Sequence, residues 1–376
     1  MTFHVRAFAA GLFATFCLAA PGLAAEPTNQ QLAEEIERLK TEIRDMQASH
    51  TAKLAEALEE VDTLNEHHNN GVHISGYTDV EYRHSDQRGV TPSVRLHHLS
   101  LFLSQKVSEQ WRFFSEIEYE DAPNFEATSP SSISDAEGKI FVEAVNIDFL
   151  WQPWLTFRFG RFFTPAGIWS VNHYPPFVPT QERPLHIRNI FPQLVDGALA
   201  HGSRPMGAGF LDYDVYAGNG EGNSGKQDQN THKAVATRAS WRLPDYHALE
   251  VGATAYRDRL NNRDTKTAYG MHLRFVLNRL AFQGEWAEAR IDPVGGTEHA
   301  HQGLYTQLLY RWGNYAVGYR YDLFNQNNTQ VRNSMMANYQ VDENTVVKLE
   351  HHADDFSSAA TEDRGTTILS LSLYLD

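Results

Sequence analysis

In several stretches of this chain, charged residues fall at every second position between apolar ones. That spacing puts them on one face of an extended strand. Arg112, Glu116 and Glu118 alternate with Trp111, Phe113, Ile117 and Tyr119, and Arg320 and Asp322 alternate with Tyr319 and Tyr321. Arg158, Arg274, Arg311, Asp148 and Glu285 lie in similar stretches, whereas Arg183, His186 and Arg188 occupy a proline-rich run with no alternation. Charged groups around a narrow aqueous passage select ions and orient polar solutes. Arg183, His186 and Arg188 opposite Glu116, Glu118, Asp148 and Glu285 would set such a field. Arg112, Arg158, Arg274, Arg311 and Arg320 would supply a basic strip. The same residues in mutual ion pairs would instead hold the shape of a wall, and one residue can do both. Trp169, Tyr174 and Phe177 offer either a greasy track for sugars or anchors for their own segment.

Other chemistry is less well supplied. The 18 histidines include the neighbours His67-His68, His97-His98 and His351-His352, and the spaced pair His299 and His301. Adjacent residues on a strand face opposite sides, so these neighbours are not expected to chelate one ion. The acidic residues Asp354, Asp355, Glu362 and Asp363 read as a solvated loop. The chain carries no nucleophile elbow, zincin helix, phosphate loop or close Ser/His/acid set. No enzyme, metal or cofactor is expected. Cys17 is the single cysteine and falls in the leader described below, which excludes disulfides and thiolate chemistry from the remainder.

Three kinds of element would carry these residues. Residues 1–25 read as a cleaved export signal: His4 and Arg6, an apolar run from Ala7 to Ala20, a break at Pro21-Gly22, and small residues at Ala24-Ala25. Residues 26–71 read as a periplasmic coiled-coil segment and hinge. Leu32, Ile36, Leu39, Ile43 and Met46 follow 4-3-4-3 spacing, and Leu54, Leu58 and Val61 resume it after a stutter at His50. The helix would be roughly 58 Å long. Its apolar stripe has no globular partner in the sequence, so self-association is expected.

From Val72 onward the period changes to two. About sixteen segments, from 72–84 to 364–375, alternate over roughly nine to fourteen residues between turn signals. Leu369, Leu371, Leu373 and Leu375 oppose Ser370, Ser372 and Tyr374 in the last of them. A soluble sandwich also alternates. Segment length, aromatic residues near segment ends and a polar face mixing Arg, Glu, Gly and Ser favour instead an antiparallel transmembrane β-barrel over 72–376. The net charge of −15 argues against nucleic-acid partners. No later stretch is apolar for 18 residues, which argues against membrane-crossing helices.

Residues 164–193 interrupt the strand pattern between the fifth and sixth segments and contain six prolines. A patternless stretch of that length inside a compact domain is usually functional. Phe159-Gly160-Arg161-Phe162-Phe163-Thr164-Pro165-Ala166-Gly167, Gln181-Glu182-Arg183-Pro184 and Asp196-Gly197-Ala198 resemble the bacterial trimeric porins, especially the phosphate-selective porin O/P-like family. The order of leader, coiled coil and barrel resembles it too. The resemblance implies a homotrimer in the bacterial outer membrane, in contact with lipid and lipopolysaccharide. It also implies that 164–193 folds inward as a constriction loop, with passive passage of small hydrophilic solutes or ions, anions among them. A structural or adhesive barrel without a conducting pore is the alternative. Two departures count against carrying phosphate over: the whole chain has eight lysines, and from Val72 onward 27 basic residues face 36 acidic ones, a net −9. The chain also ends on Asp376, with Tyr374 two residues earlier, where many such barrels end on an aromatic.

Overall fold

The computed structural model describes residues 71–121, 139–221, 228, 230–243, 249–358 and 361–376. The leader expected over 1–25 and the coiled coil and hinge expected over 26–71 lie outside these residues, Gly71 excepted. The alternating segments become sixteen strands: β1 His73–Ser85, β2 Ser93–Lys106, β3 Trp111–Glu120, β4 Lys139–Gln152, β5 Leu155–Phe163, β6 Leu194–Met206, β7 Gly209–Gly218, β8 Ala234–Arg242, β9 Glu250–Arg259, β10 Thr265–Leu277, β11 Leu280–Asp292, β12 His299–Trp312, β13 Tyr315–Asn325, β14 Thr329–Gln340, β15 Thr345–Phe356 and β16 Arg364–Leu375. Each pairs antiparallel with its sequence neighbours. β1 closes on β16 with Gly76 opposite Leu375, so the sheet has no free edge. Among the described residues there is no helix.

One rim of the barrel carries the tightest turns. Gly207-Ala208, Asn278-Arg279 and Gly313-Asn314 each join two strands with two residues. Gly207, Asn278 and Gly313 have φ of 64°, 53° and 51°, the left-handed conformation such hairpins require. The opposite rim carries the longer connections, of which 164–193 is the third.

Alternation sorts the side chains. Leu369 and Leu371 point outward and are exposed, while Ser370 and Ser372 point inward and are buried. Tyr315, Val317 and Tyr319 are likewise exposed, and Arg320 and Asp322 have no accessible surface. Aromatic residues gather on the outer face at the tight-turn rim: Trp111 against Phe149, Trp151 against Phe157, and Trp312 and Tyr339 against Tyr315, with ring centroids 4.7 to 5.8 Å apart. Such rings, apolar in body and polar at one edge, suit a membrane interface.

Two β-bulges alter the inward face. Asp79 pairs with His98 and Val80 with Leu96, leaving His97 as an extra residue. Glu116 pairs with Ala144 and Ile117 with Val142, leaving Glu143 extra. A bulge lets two successive residues share one face. β15 also runs three residues beyond its expected end at 353. Its alternation carries Asp354 to the lumen face, where it is buried and held by Arg332 and Arg364. The expectation that Asp354 belongs to a solvated loop is therefore corrected.

Candidate functional site

Residues 164–193 lie inside the barrel and bond to its wall on nearly every side. The segment needs backbone partners because it has no ladder of its own. The wall's inward polar side chains supply them. Glu285 of β11 accepts the Trp169 N–H at 3.0 Å, Glu350 of β15 accepts the Gln181 N–H at 2.8 Å, and Asp322 of β13 accepts the Leu185 N–H at 3.2 Å. Asn338 of β14 donates to the Pro179 carbonyl at 3.0 Å, and Lys348 of β15 donates to the Pro175 carbonyl. On the other side, Tyr174 donates to Glu116 of β3 at 3.0 Å, and Gln193 donates to Glu143 of β4 at 3.2 Å.

Apolar side chains seat the same segment. Trp169, Val178 and Ile187 pack with Tyr305, and Tyr174 and Phe177 pack with Tyr77 and Phe102. Trp169, Tyr174 and Phe177 are buried, which fits anchors and leaves little surface for a sugar track. Gly167 permits the tightest approach. Its φ is 59°, and an added Cβ would lie 1.7 Å from Glu285 Oε2.

The expected site residues divide into groups. Arg320 is fully buried beneath the segment. It donates to Asp322 at 2.9 Å, to Thr180 Oγ1 at 2.7 Å and to the Glu182 carbonyl at 3.0 Å, and its guanidinium lies 5.7 Å from the Trp169 ring centroid. His186 is buried and stacks on Tyr305 at 5.8 Å. Burial, helped by the Arg320 charge, pulls its imidazole down to about 3, so it is neutral near pH 7. Glu285 accepts from Tyr305 at 2.8 Å as well as from Trp169. These three hold the segment in place and present no free charge to a solute.

Arg183 and Arg188 stand on the side of the segment that faces β3 and β4. Glu143 lies within electrostatic reach of both, Glu118 within reach of Arg183, and Arg188 also lines a small cavity with Glu285. Burial, reinforced by Arg188, lowers the Arg183 guanidinium to about 10, still charged at neutral pH. Arg188 adopts φ 72°, a left-handed conformation that costs a non-glycine residue about 1–3 kcal/mol. Glu116, Glu118 and Glu143 bring one oxygen each within 4.8 Å of one another. Ser100 donates to Glu116 at 2.9 Å and Tyr77 donates to Glu118. The two arginines of the segment thus stand on the side of the lumen where these three glutamates cluster.

Arg112, Arg158, Arg274 and Asp148 lie in the tight-turn half of the interior. Arg158 makes a two-point contact with Asp148 at 2.7 and 2.8 Å, and Arg112 sits opposite Asp148 in register. Arg274 and Arg238 both donate to Glu250. Of the expected basic strip, Arg158, Arg274 and Arg320 are thus paired with carboxylates, while Arg311 is held by no carboxylate among the described residues.

Three contributors were not legible beforehand. Glu143 and His97 reach the lumen only through bulges. Glu182 joins Arg83 and Arg332 from opposite parts of the wall. Burial alone would raise its carboxyl. The Arg83 and Arg332 charges outweigh that and bring it to about 2. The Arg161-Asp196 pair, drawn from two of the porin-like motifs, lies on the outward face with contacts of 2.7 and 3.0 Å.

No protein-family model matches this chain. An uncharacterized protein of Aquifex aeolicus (strain VF5) is 29% identical over 221 residues, which is 54% of this chain and 48% of that protein. The chain therefore spans about half the length of that relative. Among solved structures, an anion-selective porin from Comamonas acidovorans aligns with TM-score 0.60 at 10% identity, over 81% of this chain and 99% of that one. OmpF of Salmonella typhi, in complex with daunomycin, gives 0.57 at 11% identity over 81% and 98%. OmpT of Vibrio cholerae, an outer membrane protein in trimer form, gives 0.55 at 10% over 81% and 99%. Together with the closed sheet and its inwardly packed third connection, these likenesses establish a porin-like barrel of sixteen antiparallel strands.

Proposed function

We propose that this chain is an outer-membrane pore through which ions and small hydrophilic solutes diffuse passively, with residues 164–193 as its constriction and a preference for anions. The observation that carries the preference is the relative depth of the charged pairs. In Arg83-Glu81 the side chains are 33% and 0% exposed, in Arg364-Asp354 35% and 1%, and in Arg158-Asp148 29% and 16%. Arg238-Asp214, Arg332-Glu182 and Lys266-Glu221 run the other way, at 12% and 18%, 8% and 25%, and 6% and 32%, while Arg95-Glu81 and Arg274-Glu250, at 32% and 0% and 22% and 9%, follow the first pattern. A passing solute would therefore meet more guanidinium than carboxylate, although acids outnumber bases in the barrel. In a narrow passage the nearest charges dominate the field. The apolar outer face and its aromatic girdle support placement in lipid, and the trimer form of a structural neighbour supports a homotrimer. Lipopolysaccharide would surround the long-loop rim.

Single-channel recording of the purified protein in a planar bilayer, across a salt gradient, tests this reading. Stepwise conductance with a reversal potential of anion-selective sign is expected. A cation-selective sign overturns the preference. A silent bilayer with folded protein overturns the pore and moves the weight to a structural or adhesive barrel. Deleting 168–190 should raise conductance, and unchanged conductance would remove the constriction role.

A further inference from the structure

The bulge in β2 has a chemical consequence. In a regular strand His97 and His98 would face opposite sides. Here both imidazoles turn inward and lie 3.7 Å apart between centroids. They converge on one carboxylate: His98 Nδ1 is 2.7 Å from Asp79 Oδ1, and His97 Nδ1 is 3.4 Å from Asp79 Oδ2. Glu81 Oε2 lies 3.4 Å from the same His97 nitrogen. The premise that neighbouring histidines face opposite sides holds for a regular strand and not at this bulge.

We propose that Asp79, His97 and His98 form a binding site for a divalent transition-metal ion of the zinc class, with Glu81 or water completing the coordination. Three observations support it. The donor atoms of the three residues all lie within 4.8 Å of one another. Two donors about 2.0–2.2 Å from a tetrahedral ion are separated by about 3.4 Å, so the His97-Asp79 and His97-Glu81 spacings already suit a shared metal. Second, Glu81 is 1% exposed, yet its Oε2 has no hydrogen-bond partner, and neither has His97 Nδ1. The two atoms lie 3.4 Å from each other, and His97 Nδ1 lies the same distance from Asp79 Oδ2, the separation of ligands on one ion. Buried polar atoms are normally satisfied, and this pair leaves capacity for a further partner between them.

Third, the ligand chemistry is selective. Two imidazole nitrogens with carboxylate oxygen suit zinc, copper, nickel or cobalt better than magnesium or calcium, which prefer all-oxygen shells. Carboxylates outnumber cations around the cluster: Glu118 and Glu120 flank His98, and Arg95 and Arg83 approach Glu81 through its other oxygen, at 2.8 and 3.8 Å. Asp79, Glu81, Glu118 and Glu120 together leave a charge balance that tolerates a divalent ion. His97 and Glu120 are 18% and 20% exposed, leaving a route from the lumen. Gln181 of the inserted segment donates to Asp79 at 3.0 Å, so the ion would sit against one of that segment's anchors.

The test is zinc titration of the full chain, folded in detergent, by calorimetry, with magnesium as the control. This readout does not depend on conduction. One saturable zinc equivalent per chain is expected, with no comparable magnesium binding. His97→Ala and His98→Ala should each weaken zinc by at least about tenfold, the lower end of what losing an outer-sphere partner already costs. A His299→Ala/His301→Ala double variant should bind as the parent does. Unaltered affinity in both folded single variants overturns the proposal, as does the absence of saturable binding. Should those variants fail to fold, copper-loaded parent protein still decides. Electron spin-echo modulation should count two coordinated imidazoles, and none or one would overturn the assignment.

Discussion

Replacing Arg320 with methionine gives the sharpest check on how the inserted segment is held. The side-chain stem survives and the guanidinium is lost. Three bonds go with it: to Asp322 at 2.9 Å, to Thr180 at 2.7 Å and to the Glu182 carbonyl at 3.0 Å. Asp322 keeps the Leu185 N–H but loses its buried counter-charge. Removing one partner of a buried ion pair costs about 3–5 kcal/mol. Two charge-assisted bonds to the segment, at about 1.5–3 kcal/mol each, give a similar sum. The equilibrium between released and seated forms of residues 179–186 should then shift by about two to four orders of magnitude. Ile187 and Trp169 keep their apolar seats, so the rest of the segment should stay in place. Protease added from the long-loop rim should cut Arg320→Met near 183 and spare the parent. Single-channel records should show larger or noisier current. Arg320→Lys should recover only part of the effect, because an ammonium cannot reproduce the two-sided fork. Parent-like protease resistance and conductance in folded Arg320→Met would refute the reasoning.

Acid should loosen the same segment. His186 is neutral when seated, with its imidazole at about 3, and would bind a proton near pH 6.5 when released; its contribution is complete above 6.5 and is lost as pH falls toward 3. Glu182 is held at about 2 against an ordinary value of 4.5, so its contribution is complete above 4.5 and is lost toward pH 2. At about 1.4 kcal/mol per pH unit across each window, protease sensitivity should rise steadily below pH 6.5, and His186→Phe should flatten the upper part of that curve. Gly167→Ala must displace Glu285 and adopt a strained φ, so folding yield or thermal stability should fall by about 1–3 kcal/mol in a heat-modified mobility assay. Arg158→Gln combined with Arg274→Gln should move the reversal potential toward cations, by removing the Arg158 charge from Asp148 and leaving Glu250 with Arg238 as its remaining arginine.

The periodicity of the chain already determined the barrel. Sixteen alternating segments were legible because each strand must present apolar atoms outward and polar atoms inward, and that demand is written residue by residue. The run 164–193 was legible as an insertion because it breaks the alternation and is stiffened by proline. The residue types at the site were legible too: Arg183, Arg188, Glu116, Glu118 and Arg158 are all on the inward side or on the inserted segment. Their partners were not. Which guanidinium meets which carboxylate depends on strands and loops far apart in sequence, as Arg83 and Arg332 meeting Glu182 shows. The roles of Arg320, His186 and Glu285 as buried anchors follow from the path of the segment across the lumen, which no local pattern encodes. The bulges at His97 and Glu143 were equally hidden. An extra residue on one strand is defined only against the register of its neighbour, so tertiary pairing alone decided that two adjacent histidines would share a face.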